Sequence, residues 1–200
     1  MTFASSCSAS NARELNPVGA LEARRDPVGS LRSALSSIAL PIEGVYEYTY
    51  FPLDGASDPV RVRWQFKVRG PASWERRVVE SDDETHPVGL RLLREGSTLR
   101  TFTPNVIDLT EGFDRPMTDL DVEDLGPDSS LMPDRFLSFV VDPDSVTSGV
   151  VINDADEFVL TSGEDRFVFD RNGRPMRVEL PERDVITATV SVERFESLDR

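Results

Sequence analysis

Val60-Arg61-Val62-Arg63-Trp64-Gln65-Phe66-Lys67-Val68 is the stretch that decides the fold. Apolar residues hold the even positions and long polar ones the odd. Successive side chains of a strand point to opposite faces, so this run predicts a strand with one face buried and one wet. Just upstream, Tyr46, Tyr48 and Tyr50 share one face of a second strand, and Asp54-Gly55 begins a polar connection between the two. Together they predict an antiparallel hairpin with a loop of several residues.

Outward from that hairpin the same period recurs. Further strands are predicted at Trp74 to Glu80, Leu90 to Arg94, Leu99 to Thr103 and Val106 to Leu109, separated by Gly70-Pro71, Asp82-Asp83-Glu84 and Glu95-Gly96. These separators are turn-forming residues. After the second helix described below, Val146 to Ile152, Glu157 to Leu160, Arg166 to Phe169, Met176 to Leu180 and Val185 to Phe195 read as strands, with Asp170-Arg171-Asn172-Gly173 as a hairpin turn. Asn and Gly tolerate the positive φ such turns demand.

Two segments carry a helical period instead. Asp26-Pro27 starts the first: the Asp side chain accepts from the free amides of the first turn, and Pro at the first helical position sacrifices no needed donor. Val28, Leu31, Leu35 and Ile38 then form one apolar stripe, bounded by Pro41. The second helix is capped by Asp128, Ser129 or Ser130, carries Met132, Phe136, Phe139 and Val140 roughly on one face, and stops at Asp142-Pro143. The order is helix, about six strands, helix, about five strands. That is an α+β domain, predominantly antiparallel β, over residues 25–198 and preceded by a flexible tail or tether at 1–24. The acidic, Pro/Gly-punctuated stretch Met117 to Ser130 reads as an exposed connection.

Composition narrows the function. With 36 acidic against 22 basic residues the formal charge is -14, which repels phosphate backbones and makes nucleic acid a poor partner. Lys67 is the only lysine. The basic row Arg61, Arg63, Lys67 and Arg69 is expected to pair with acids on neighbouring strands, with anion binding as the minority use. Cys7 alone forms no intramolecular disulfide and no multi-cysteine zinc site. Ala4-Ser5-Ser6-Cys7 resembles the end of a bacterial lipoprotein signal, which would make Cys7 a lipid attachment point; the alternative is a free cysteine in the tail.

Catalytic chemistry is not signalled. His86, the sole histidine, follows three acids in a predicted loop, where solvation is the commoner fate. Asp119 to Asp124 and Asp154-Ala155-Asp156-Glu157 lack the glycine and distal Glu of a calcium loop and read as solvated turns. No phosphate-cradling glycine loop, dinucleotide fingerprint or nucleophile elbow occurs. The sequence therefore predicts no enzyme, no metal and no cofactor. The aromatic residues Tyr46, Tyr48, Tyr50, Trp64, Phe66, Phe102, Phe136 and Phe139 are the candidate ligand lining; they either surround an apolar ligand or fill a sheet-helix core.

Three stretches carry a family resemblance. Phe66-Lys67-Val68-Arg69-Gly70-Pro71 with Trp74-Glu75-Arg76, then Leu93-Arg94-Glu95-Gly96-Ser97-Thr98-Leu99 to Pro104, then Phe167-Val168-Phe169-Asp170 through Gly173-Arg174-Pro175-Met176-Arg177-Val178, are similar to hairpins of the lipoprotein-carrier superfamily. Thr187 to Phe195 resembles its closing strand. That superfamily includes LolA-like proteins and the LppX and LprG type lipoproteins. Glu95 stands where the family usually has Asp. The resemblance implies a curved, incomplete barrel of about 10–11 strands with two helices packed on the concave face. It also implies a non-enzymatic carrier or sensor of a lipid or lipoprotein acyl chain in the bacterial periplasm or envelope. The alternative is a regulatory module of the same fold that contacts a membrane-bound partner, as anti-sigma regulators resembling this superfamily do.

Overall fold

The computed structural model describes residues 23–52, 58–104, 113–116, 135–183 and 186–197. After a helical turn at residues 23–25 come α1 (Pro27–Ser36), β1 (Ile42–Pro52), β2 (Val60–Gly70), β3 (Ser73–Ser81), β4 (Arg91–Glu95), β5 (Thr98–Phe102) and β6 (Phe113–Pro116). The second half holds α2 (Arg135–Val141), a 3-10 turn at Pro143–Ser145, β7 (Val150–Ile152), β8 (Phe158–Ser162), β9 (Asp165–Phe169), β10 (Pro175–Arg183) and β11 (Ile186–Ser197). All eleven strands form one sheet in the order β6-β5-β4-β3-β2-β1-β11-β10-β9-β8-β7.

That order is two meanders joined once. Each strand pairs antiparallel with its chain neighbour except at the centre, where β1 pairs with β11 from Ile42 opposite Ser197 to Pro52 opposite Ile186. The outer strands β6 and β7 do not pair with each other, so the sheet is an open half-barrel rather than a closed one. Helices α1 and α2 pack on its interior face and on each other.

The alternation in β2 sorts its side chains as the sequence predicts. Val62, Trp64, Phe66 and Val68 are buried at 3% exposure or less, and they join one core with Ile42 and Tyr46 from β1 and Trp74 and Val78 from β3. The opposite face is laced with cross-strand ion pairs. Arg63 bridges Glu80 at 2.9 Å and Glu193 at 2.5 Å, and Lys67 stands 3.9 Å from Glu43. Farther out, Arg91 meets Glu75 at 2.8 Å and Arg166 meets Glu179 at 2.9 Å. Exposed pairs of this kind contribute only about 0–1 kcal/mol each; their main effect is to keep this face wet.

Helix α1 starts as its sequence dictates: Pro27 opens the first turn and the Gly29 amide donates to Asp26 Oδ1 at 2.9 Å. Leu31 and Leu35 are fully buried. The helix sits on the β9–β10 turn, where Gly173 takes φ +76° and a Cβ would lie 2.8 Å from the Leu35 amide nitrogen. Arg32 ties the other flank by donating from Nε to the Val146 carbonyl at 2.6 Å. Asp26→Ala is expected to destabilise the fold by about 1 kcal/mol, the usual worth of an N-cap side chain, measured as a shift in the thermal or urea midpoint.

The structure differs from the sequence expectations at three places. The strand predicted from Val146 begins only at Val150, because Pro143–Ser145 closes a 3-10 turn and Gly149 adopts φ +76° against the Thr161 carbonyl. Strand β6 at Phe113–Pro116 was not foreseen, while Val106 to Leu109 and the predicted caps of the second helix lie outside the described residues. Helical structure also starts at residue 23, inside the predicted tail: Ala23 is 7% exposed and Arg24 stands 3.4 Å from Asp156.

Candidate functional site

Most of the aromatic residues singled out in the sequence converge on the interior face. The Tyr46 ring is fully buried, 5.9 Å from Phe66 and 5.6 Å edge-on from Phe136. Phe139 lies edge-on to Phe167 at 5.1 Å and to Phe169 at 6.4 Å. These tilted and edge-to-face contacts are the arrangements that aromatic quadrupoles favour. They bind α2 to both meanders. Tyr48 and Tyr50 continue the same face of β1 toward its far end, where they are half-buried with ring centroids 4.5 Å apart.

Phe102 does not join them, which corrects its place among the candidate lining residues. In the β4–β5 register Phe102 stands opposite Arg91 and Leu99 opposite Arg94, so Phe102 points away from the face that carries Leu99. The Arg91 guanidinium covers its ring at 5.1 Å from the centroid. Cys7 lies outside the described residues.

Several interior polar groups escaped the sequence reading. Trp74, Arg76 and Val78 share the interior phase of β3, since Trp74 pairs with Val68 and Arg76 with Phe66. Arg76 thus reaches into the aromatic face: its guanidinium lies 4.2 Å from the Trp64 ring centroid, and Nη1 donates to Tyr46 Oη at 3.4 Å. Arg94, opposite both Trp74 and Leu99, shares that face one strand farther out. The signal was present in Trp74-Glu75-Arg76-Arg77-Val78, where an arginine occupies the apolar phase.

The loop after β3 brings a further cluster to the same indole. His86 lies edge-on to Trp64 at 5.8 Å, and its Nδ1 is 2.7 Å from Asp83 Oδ2. Thr85 donates its amide (2.8 Å) and its hydroxyl (2.7 Å) to Asp83 Oδ1. Partial burial pushes the Asp83 carboxyl up, but the hydrogen bonds from His86 and Thr85 outweigh it and hold the group below its ordinary value. A carboxyl depressed in the folded state stabilises the protein above its unfolded pKa, and that contribution is lost as pH falls through the folded value. Asp83→Asn is therefore expected to cost about 1 kcal/mol at neutral pH. Thermal melts should show the variant and the parent converging in acid, below the ordinary carboxylate range; a constant gap across pH would refute this account of the loop.

Among the described residues no group of three or more His, Cys, Asp or Glu side chains is placed to hold a metal ion. No described helix is long and apolar enough to cross a membrane. An open groove of about 590 Å³ runs beside the contact of α1 with the β9–β10 turn, lined by Gly29, Ser30 and Ser33 of the helix and by Phe158, Arg171 and Asn172, and it contains none of the candidate aromatics.

No family model and no curated protein matches the chain. Among solved structures it is similar to a LolA superfamily protein from Nitrosomonas europaea, at 11% identity and TM-score 0.41 over 86% of this chain and 94% of that one. It is also similar to a conserved protein from Thermus thermophilus, at 11% identity and TM-score 0.43 over 88% of each chain. A third is described as an outer membrane lipoprotein-sorting protein domain from Vibrio parahaemolyticus, at 9% identity and TM-score 0.40 over 85% of this chain and 90% of that one.

Proposed function

We propose that this chain is a non-enzymatic carrier or sensor, a single domain over about residues 25–198 that binds an apolar ligand at the bacterial cell envelope. The ligand class is a lipid or a lipoprotein acyl chain, as the sequence resemblance implies. The observation that carries the reading is a mismatch of areas. Eleven strands at about 4.8 Å spacing make a face about 48 Å across before curvature. Helices of 10 and 7 residues are only about 15 and 10 Å long and about 10 Å wide. Among the described residues, these two helices cover a minority of that face. The interior beyond them is aromatic, and Tyr48 and Tyr50 stand half-buried there with ring faces suited to an acyl chain and hydroxyls suited to its wetter end.

The test is to purify the protein from membrane-bearing cells, identify extracted lipid by native mass spectrometry, and titrate the stripped protein with an acyl probe. Co-purified lipid and saturable probe binding are expected. A protein that arrives empty and binds no probe overturns the reading.

A second reading, a regulatory module contacting a membrane-bound partner, draws on a different observation. Tyr46, Phe66 and Phe136 are 2% exposed or less and fill the space beneath α2 with one another, as in a core built for rigidity rather than for cargo. Crosslinking to a membrane-bound partner in intact envelopes, with the protein empty of lipid, would favour it.

A further inference from the structure

We propose that the open edge of β7 is a docking site for an extended segment of a partner protein, an apolar stretch flanked by basic residues that pairs with Val150–Ile152 as a further antiparallel strand. The inference concerns a second protein and is independent of whether the interior carries a lipid.

The backbone supplies the first argument. Strand β7 ends the sheet, with β8 on one side and no described strand on the other. The Thr161 amide donates to the Gly149 carbonyl at 2.9 Å, and the Asn153 amide to the Glu157 carbonyl at 3.1 Å. Bonded pairs alternate along an antiparallel ladder, so Gly149, Val151 and Asn153 turn their backbone groups to β8. Val150 and Ile152 turn theirs to the open edge, while their side chains pack in the core and hold the strand in place. An edge of this kind is what strand addition uses.

The side chains specify what the added strand carries. Much of the outer face is laced with ion pairs, but Val168, Val159 and Val151 stand in register across β9, β8 and β7 as an apolar row. Val168 is 1% exposed, Val159 3% and Val151 58%. Burial along the row is lost where the next strand is missing. Val151 is bonded to β8, so a strand on its other side would face it as a non-bonded pair, in which side chains approach most closely. An apolar residue at that position extends the row and buries Val151.

Charge decides between occupants. The chain reaches β7 past Asp142 and Asp144 and leaves it at Asp154, all three exposed. The arginines nearby are engaged with other acids: Arg24 and Arg171 with Asp156, and Arg177 with Glu157. A second copy would set this acidic edge against its like, which is unfavourable. A segment with lysine or arginine on both sides of an apolar centre is complementary, and the field of a chain with formal charge -14 draws it in.

The probe is a dye-labelled nonapeptide with two lysines at each end of a valine-threonine-valine-threonine-valine centre, titrated with the full-length protein and followed by fluorescence anisotropy. Two further peptides differ from it in one respect each. One has glutamates for the lysines; the other has prolines for the threonines, which keeps the charge but removes the amides that would join the ladder. The lysine peptide is expected to bind about tenfold tighter or more than either. Its binding should slow amide exchange at Val150 and Ile152. Val151→Lys, at an exposed position, should weaken it about tenfold or more by removing the apolar contact and opposing the lysines. The comparison of peptides in the parent protein decides the matter even if the variant fails to fold. Equal binding of the proline peptide overturns the proposal, because it would mean attraction by charge alone. So does the absence of binding by the lysine peptide, or binding that leaves exchange at Val150 and Ile152 unchanged. A free protein that sediments as a dimer with those two amides already protected would place a second copy on the edge, and would overturn it as well.

Discussion

Replacing Arg135 by methionine is expected to destabilise the protein by about 3–5 kcal/mol, the range for removing one partner of a buried ion pair. The carboxylate left behind is the reason. Asp165 is 4% exposed at the start of β9, where Arg135 Nη1 stands 3.1 Å from its Oδ2. Arg135 Nη2 donates to Ser162 Oγ at 2.8 Å, so the guanidinium spans the β8–β9 turn from the first residue of α2. Without the cation, Asp165 keeps the cost of desolvation and loses its guanidinium partner. The reverse change should be milder, because the Arg135 side chain is 33% exposed and regains water; Asp165→Asn is expected to cost about 1–3 kcal/mol. Arg135→Met with Asp165→Leu should recover much of the loss, since an apolar pair of similar size often replaces a buried ion pair without penalty. Urea denaturation reads all three. A midpoint for Arg135→Met within surface-substitution range would show that the pair is not what fixes α2. The aromatic interior is implicated too, because α2 delivers Phe136 and Phe139 to it.

The sequence announced this architecture unevenly, and the physical reasons differ. Val60 to Val68 was legible because one face of β2 meets apolar side chains and the other meets water, and period two reports that difference directly. Asp26-Pro27 was legible because capping is local chemistry. The place of Phe102 turns on register: Leu99 and Phe102 are three residues apart, so a regular strand sends them to opposite faces, and aromatic character alone does not say which face is interior. Arg76 was passed over because a charge in the apolar phase resembles an error in the pattern until its neighbours are known. The partners of the basic row were foreseen as a class but not as individuals, since Glu193 lies 130 residues from Arg63. The join of β1 to β11 has no local signature at all. It is the pairing that turns two meanders into one sheet.

That join makes Gly44→Val the second change of large expected effect. In the two registers of β1, Gly44 stands opposite Phe66 on β2 and Phe195 on β11. The two phenyl rings lie 6.3 Å apart across it. A Cβ at this position would overlap the Arg194 carbonyl oxygen and come within 2.6 Å of Phe66 Cζ. The first obstacle is backbone, next to the register shift between Val45 and Tyr46, and it cannot rotate away as a side chain would. The second is a ring at 1% exposure in the middle of the core. Relief therefore requires β11 to withdraw from β1, at an expected cost of about 3 kcal/mol or more, the upper end for overpacking a well-packed site. Gly44→Ala should fall between this variant and the parent. Gly70→Ala is the control: a Cβ there meets nothing within 4 Å, and the change is expected to stay within about 0.5 kcal/mol. Urea midpoints give the ranking, and amide exchange gives the place, with protection falling first along Ile42–Pro52 and Ile186–Ser197. Were Gly44→Val to keep the parent midpoint, the two meanders could not be held by the close approach of β1 and β11 at this residue.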